Sequence, residues 1–189
     1  MRLLNQLLLT VAICSSLSAC VPVVAGGAAA GGLMAADRRT SGAYVEDQGI
    51  ELKANNRIKD TLGDKIHINV TSYNRNVLLT GEAIDESART KAESTAKTVE
   101  NVRNVTNEVQ ISGASALTAR ANDSYLTTKV KAAFVQENRF PANYVKVVTE
   151  NSVAYLMGIL THKEADDAVE IARSVDGVQK VVKVFEYIE

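Results

Sequence analysis

One succession of patterns occurs twice in this chain, and the repetition limits the fold to two small units of the same kind. In the first copy, Leu52, Ala54, Ile58 and Leu62 mark the inner side of an amphipathic helix. Ile66, Ile68 and Val70 then alternate with His67, Asn69 and Thr71 as a half-buried strand. Asn74-Arg75-Asn76 turns the chain into a second strand, Val77 to Ala83. Asp85 caps a helix with Ala88, Ala92, Ala96 and Val99 inward, and Val102 to Ile111 reads as a third strand. The second copy repeats the order: Leu126, Val130, Ala133 and Phe134 on a helix, then Val145, Val147 and Thr149 on a strand. Glu150-Asn151 turns into Val153 to Leu160. Thr161-His162-Lys163-Glu164 has capping-box spacing and opens a helix with Ala165, Ala168, Val169, Ala172 and Val175 inward, ending at Asp176-Gly177 before a last strand, Val178 to Ile188. Gly81 and Gly158 fall at equivalent places in their strands and are read as structural residues.

Each unit, about 70 residues long, is helix, strand, strand, helix, strand. A strand, crossover helix and returning strand close right-handed, so the expected class is α+β: two tandem αββαβ units, each a small three-stranded mixed sheet covered by two helices. The expected division is 46–112 for the first unit, 113–121 for a linker around Gly113-Ala114-Ser115-Ala116, and 122–189 for the second. The last strand is apolar on both faces, with Val182, Val184 and Ile188 on one and Val181, Phe185 and Tyr187 on the other. One face must meet the first unit, a partner or a covering loop.

The start of the chain supplies a different constraint. Arg2 precedes an uncharged stretch, Leu3 to Ala19, that ends in Leu17-Ser18-Ala19-Cys20, the pattern at which bacterial lipoproteins are cut and acylated. The expectation is a signal peptide over 1–19, acylation of Cys20 and an Ala/Gly-rich tether within 20–45, uncharged from Val21 to Ala36. Each buried CH₂ of an acyl chain adds about 0.8 kcal/mol, so two or three chains anchor the protein durably. Val21, not Asp, follows the cysteine, which resembles the enterobacterial pattern for delivery to the outer membrane and favours its periplasmic face.

Several functions are disfavoured. Lys and Arg total 21 against 22 Asp and Glu, so no long-range field draws nucleic acid. Cys14 leaves with the signal and Cys20 is acylated, so no thiol is left for a disulfide, a zinc site or catalysis. Gly26 and Gly31 have the outer spacing of a phosphate loop, but Gly32-Leu33 stands where Lys-Ser/Thr is required. His67 and His162 lie in different copies without partners at ligand spacing, and both read as solvated. The acid pairs Asp85-Glu86 and Asp166-Asp167 sit at helix starts or on outer faces. The chain is therefore read as non-enzymatic, with no catalytic residue, metal or cofactor.

The strand–glycine motifs LLTGEA and YLMGIL, each followed by an Ala-rich helix and a last strand, resemble the BON domain. Two such domains behind a lipobox resemble the dual-BON outer-membrane lipoproteins over essentially the whole mature chain, with NDSYLTTKVK, VKVVTEN and LMGILT as the closest stretches. The resemblance implies a protein that binds anionic phospholipids such as phosphatidylglycerol and cardiolipin, supports envelope integrity and gathers at division sites. It also implies that the first helix of the second domain is the lipid-binding element, with an aromatic where Tyr125 stands. Relatives have also been labelled haemolysins.

On that helix the positions off the core stripe are Tyr125, Thr128, Lys129 and Ala132, read against Lys53, Asn56, Arg57 and Asp60 in copy one. A tyrosine ring can sit among acyl chains while its hydroxyl stays wet, and Lys129 can reach a lipid phosphate. Lys131 and Phe140-Pro141 are weaker candidates. A scaffold for outer-membrane assembly proteins, acting through the doubly apolar last strand, is the rival reading. A membrane-perturbing role is third, since no segment is long and apolar enough to form a pore by itself.

Overall fold

The computed structural model describes residues 37–63 and 67–189. The signal, Cys20 and the tether to Ala36 lie outside the described residues, as does Ile66. The part from Asp37 onward is one compact unit built from both copies.

Domain 1 consists of α1 (Ser41–Leu62), β1 (His67–Tyr73), β2 (Asn76–Ala83), α2 (Glu86–Ala96), β3 (Asn104–Asn107) and β4 (Gln110–Ile111). Domain 2 consists of α3 (Leu117–Glu137), β5 (Val145–Glu150), β6 (Val153–Leu160), α4 (His162–Ser174) and β7 (Lys180–Tyr187), with a 3₁₀ turn at Ala142–Tyr144. The expected αββαβ order is present in both. β1 and β2 are antiparallel, and β3 and β4 both run parallel to β2. They take the place of the single strand expected over Val102 to Ile111. The break falls at Glu108-Val109, where Glu108 N–H still reaches the Leu79 carbonyl at 2.9 Å while Val109 N–H turns to Asn107 Oδ1 at 3.2 Å. In domain 2, β6 pairs antiparallel with β5 and parallel with β7 over the full strand.

Both first helices begin earlier than the sequence suggests. α1 starts behind Thr40, whose hydroxyl accepts from Ala43 N–H at 3.1 Å, so residues 41–45 belong to the fold and not to a tether. α3 runs through residues 117–121, which were expected in the linker. Within α1 the inner stripe is Ala43, Asp47, Ile50, Ala54 and Ile58, and Leu52 faces solvent at 64% exposure. A buried aspartate interrupts the apolar period, so hydrophobic patterning alone places Leu52 inward where the structure turns it outward.

Asp47 and its counterpart Asp123 fasten the hairpins. Asn74 and Arg75 have φ of 50° and 67°, and Asn151 and Ser152 have 49° and 62°, the doubly left-handed geometry of a tight two-residue turn. Asp47 accepts Asn74 N–H at 2.8 Å, Arg75 N–H at 2.7 Å and Ser72 Oγ–H at 2.7 Å. Asp123 accepts Asn151 N–H at 2.9 Å and Ser152 N–H at 2.8 Å. Each first helix thus clamps the turn of its own hairpin.

The helices cover one face of each sheet, and the other two faces pack against each other. Val77 and Leu79 point to the helices of domain 1, while Leu78 and Tyr73 join Tyr155 and Met157 of domain 2 in a separate interdomain cluster. Val182 and Val184 pack into that cluster, whereas Val181 and Phe185 pack into the domain 2 core. The two-faced apolarity of β7 is therefore consumed by domain 1 on one side and by its own helices on the other. Tyr187 and Ile188 stay partly exposed, with the Tyr187 ring stacked on His162 at 4.4 Å.

Arg38 adds a strap between the domains. Its guanidinium donates to both Glu164 oxygens at 2.7 and 2.8 Å and to the Ile159 carbonyl at 2.8 Å, and it lies over the Tyr144 ring. Glu164 also accepts Thr161 N–H at 2.8 Å in the capping box. The Arg38 hydrogen bonds hold the Glu164 carboxyl below its ordinary range, against the opposing effect of burial. A depressed carboxyl contributes stability that is present above the unfolded value of about 4.3 and is lost as pH falls through the lower folded value. Arg38→Ala is therefore expected to lower the urea midpoint at neutral pH, with the difference from the parent shrinking in a urea series taken below that range.

Candidate functional site

Helix α3 presents two opposite stripes. Asp123, Leu126, Val130 and Phe134 are buried. Directly opposite, at helical spacing, run Leu117, Ala121, Tyr125, Thr128, Ala132 and Val135, all exposed. Leu117 is 80%, Tyr125 62% and Val135 67% exposed. Leu117, Ala121 and Val135 lie beyond the two turns around Tyr125, and continuing the same period over the full helix reaches them. Tyr125, Thr128 and Ala132 lie on the stripe as expected, and Lys129 lies beside it.

The charges around this stripe are one-sided. Between Leu117 and Gln136 the only acid is Asp123, which points inward. Lys129 and Lys131 sit on the two flanks, each about 100° around the helix from the core line. Lys129 is half-buried: its Nζ donates to the Asp176 carbonyl at 2.8 Å and lies 5.6 Å from the Tyr125 ring centroid. Lys131 is exposed. Phe140 is buried against Phe134, so it is a core residue and no surface candidate.

The comparison between copies shifts by one helical turn. Asp47, Ile50, Ala54 and Ile58 occupy the places of Asp123, Leu126, Val130 and Phe134. The counterparts of Tyr125, Thr128, Lys129 and Ala132 are therefore Gly49, Leu52, Lys53 and Asn56, and not Lys53, Asn56, Arg57 and Asp60. α1 also has exposed apolar side chains, Val45 and Leu52, but it places Glu46, Glu51 and Asp60 on the same helix. Lys53 and Arg57 both bridge to Glu100. The distinguishing property of α3 is an apolar, Tyr-bearing surface free of exposed acid.

At one edge of the interdomain contact lies a second group of polar side chains. His67, expected to be solvated, is half-buried, with Nδ1 2.9 Å from Glu82 Oε2. Glu82 is 2% exposed and Glu150 from domain 2 is 5% exposed. Asn69 Nδ2 donates to Glu150 at 2.8 Å and Asn151 Nδ2 to Glu82 at 3.1 Å, so each domain's amide holds the other's carboxylate. Burial, followed by the neighbouring Glu82 charge, pushes the Glu150 carboxyl up. Glu82 is shifted down by hydrogen bonds from His67, Ser115 and Asn151, which outweigh its burial. His162 keeps the expected place at the head of α4.

Gly81, opposite Ile68 in the hairpin, has φ of 102°, and a Cβ there would collide with the His67 carbonyl oxygen. Gly158 has ordinary backbone, but a Cβ would come 2.7 Å from the Tyr144 carbonyl oxygen.

Fold and surface together define a class: a tandem helix–sheet module whose second half offers one helix outward. The chain belongs to the BON-domain family, whose BON domain matches residues 46–113 and 122–189. It is similar to the Outer membrane lipoprotein DolP of Haemophilus influenzae, with 37% identity over 92% of this chain and 91% of that protein. It is also similar to the 21 kDa hemolysin of Actinobacillus pleuropneumoniae, 37% identical over 81% of this chain and 80% of the relative. The Osmotically-inducible protein Y of Escherichia coli shares 28% identity over 74% of this chain and 72% of its own length. The chain is accordingly a lipid-anchored lipoprotein of the outer membrane, associated with the membrane, and its family and relatives point to a non-catalytic protein.

Proposed function

We propose that this protein, held at the periplasmic face of the outer membrane by acyl chains on Cys20, binds anionic phospholipids through the outward stripe of α3 and thereby supports envelope integrity, including at division sites. It does so without catalysis. The observation that carries this reading is the run of exposed Leu117, Tyr125 and Val135 flanked by Lys129 and Lys131 with no exposed acid between Leu117 and Gln136. Such a surface settles its ring and aliphatic groups at the acyl boundary while the lysines meet phosphates, each worth about 1 kcal/mol near an anionic leaflet. That is weak in isolation. The lipid anchor makes it sufficient by holding the domain at the surface, so the second contact is effectively intramolecular.

The test is co-sedimentation of the chain begun at Asp37, without its acyl anchor, with vesicles containing phosphatidylglycerol or cardiolipin, and with neutral vesicles. Binding only to anionic vesicles, decreasing with salt, is expected. Tyr125→Ala should weaken it about tenfold, from lost burial of the ring. Equal binding by Tyr125→Ala and by Val135→Asp would refute this face.

The rival scaffold reading uses β7, whose Val182 and Val184 pack into the interdomain cluster, which leaves Tyr187 and Ile188 as its exposed apolar groups for a partner. A lytic reading follows the name of the Actinobacillus relative. Among the described residues no helix is long and apolar enough to cross a membrane, and adsorption without release of trapped dye is the expected outcome.

A further inference from the structure

We propose that His67, Glu82 and Glu150 form a site for a divalent transition-metal cation of the zinc class, which staples the two BON domains together. One potential ligand atom from each residue lies within 4.8 Å of the other two. Two ligands at zinc bond lengths around a tetrahedral centre stand roughly 3.4 Å apart, so small side-chain rotations suffice to close the set. One imidazole nitrogen and two carboxylates suit zinc better than magnesium or calcium, which favour oxygen alone.

A second observation points to a missing positive charge. Glu150 is almost fully buried, yet among the described residues it has no ion pair, and its hydrogen bonds from Asn69 at 2.8 Å and Thr80 at 3.5 Å both fall on Oε2. Glu82, 2% exposed, has only the ring of His67 as a charge partner among those residues. The two carboxylates have one imidazole as their ion-pair partner, since Arg120, which lines the same cleft, donates to Ser115 Oγ at 3.1 Å, and buried charge of this kind is stable when it is paired or coordinates a metal. Two of the three ligands are reachable: a cleft of about 270 Å³, whose lining includes His67, Asn69, Arg120, Asp123 and Glu150, runs in from solvent between the domains and has room for a water as a fourth ligand, while Glu82, 2% exposed, does not line it.

His67 ligates through Nδ1 as the tautomer that carries its proton on Nε2, so the hydrogen bond between Nδ1 and Glu82 Oε2 gives way to the cation, which both atoms then hold. His67 and Glu82 stand on β1 and β2, whereas Glu150 ends β5. A bound ion therefore crosses the interface. The amides of Asn69 and Asn151 hold the carboxylates in position, the outer-sphere support typical of metal sites.

The test uses the detergent-purified full chain and zinc chloride alone. Equilibrium dialysis should find one zinc per chain, and a hundredfold excess over Kd should raise the melting midpoint by about 5–10 °C. Glu150→Gln keeps an oxygen to accept from Asn69 and Thr80, so it should fold; it and His67→Gln should each weaken zinc binding at least tenfold and lose the thermal shift. Cobalt chloride should give the visible bands of a four-coordinate site in the parent and not in Glu150→Gln. Magnesium at equal concentration should not compete. Absence of stoichiometric binding, or zinc binding and thermal shift unchanged in both variants, overturns the site.

Discussion

Asp47→Ala is expected to lower the unfolding free energy by about 3–5 kcal/mol, read as a reduced urea midpoint with an unchanged slope. The size follows from what one side chain holds. Asp47 is buried and accepts from Ser72, from the backbone of Asn74 and Arg75, and from Arg39 at 2.9 Å. Removing it strands two turn N–H groups and leaves the well-buried Arg39 cation with Asp37 as its remaining bridge. A buried donor without a partner costs about 1–3 kcal/mol, and an unpaired buried charge costs more. Asp123→Ala removes the matching clamp in domain 2 but strands no arginine, so a smaller loss, about 2–3 kcal/mol, is expected. Equal losses in the two variants would show that the Arg39 pair contributes little and that the turn clamp accounts for both.

Gly81→Ala should be comparably severe, about 3 kcal/mol or more, and should exceed Gly158→Ala. At Gly81 two costs coincide. The positive φ strains any L side chain, and the added Cβ meets the backbone of the paired strand, which cannot step aside without opening the hairpin. At Gly158 the backbone is ordinary, so the conformational cost is absent and the one close approach is 2.7 Å to the Tyr144 carbonyl oxygen. Urea titration of the two variants gives the order directly. A smaller effect at Gly81 would mean that the β1–β2 pairing slips to relieve the clash.

Much of the fold was legible. The hairpins, the Ala-rich crossover helices and the caps at Asp85 and Thr161 are local, each written in residues a few positions apart. The first helices were harder to read. Their inner stripes contain Asp47 and Asp123, which hydrophobic patterning counts as outward residues, and this moved Leu52 inward and offset the two copies by a turn. The candidate lipid face was partly legible for the same reason. Tyr125, Thr128 and Ala132 emerged from periodicity, but the absence of exposed acid between Leu117 and Gln136 acquires meaning only once Asp123 is known to point inward.

The sequence by itself determined two repeated αββαβ units behind a lipobox, because strand alternation, helix period and capping act between near neighbours in the chain. Tertiary structure alone decided that the sheets pack face to face, that β7 spends its second apolar face on domain 1, and that His67 meets Glu82 and Glu150 instead of water. Those contacts join residues from different copies across a sheet-to-sheet surface. Many pairs of strand faces could satisfy the same alternation, and only side-chain packing and the burial of matched polar groups select one of them.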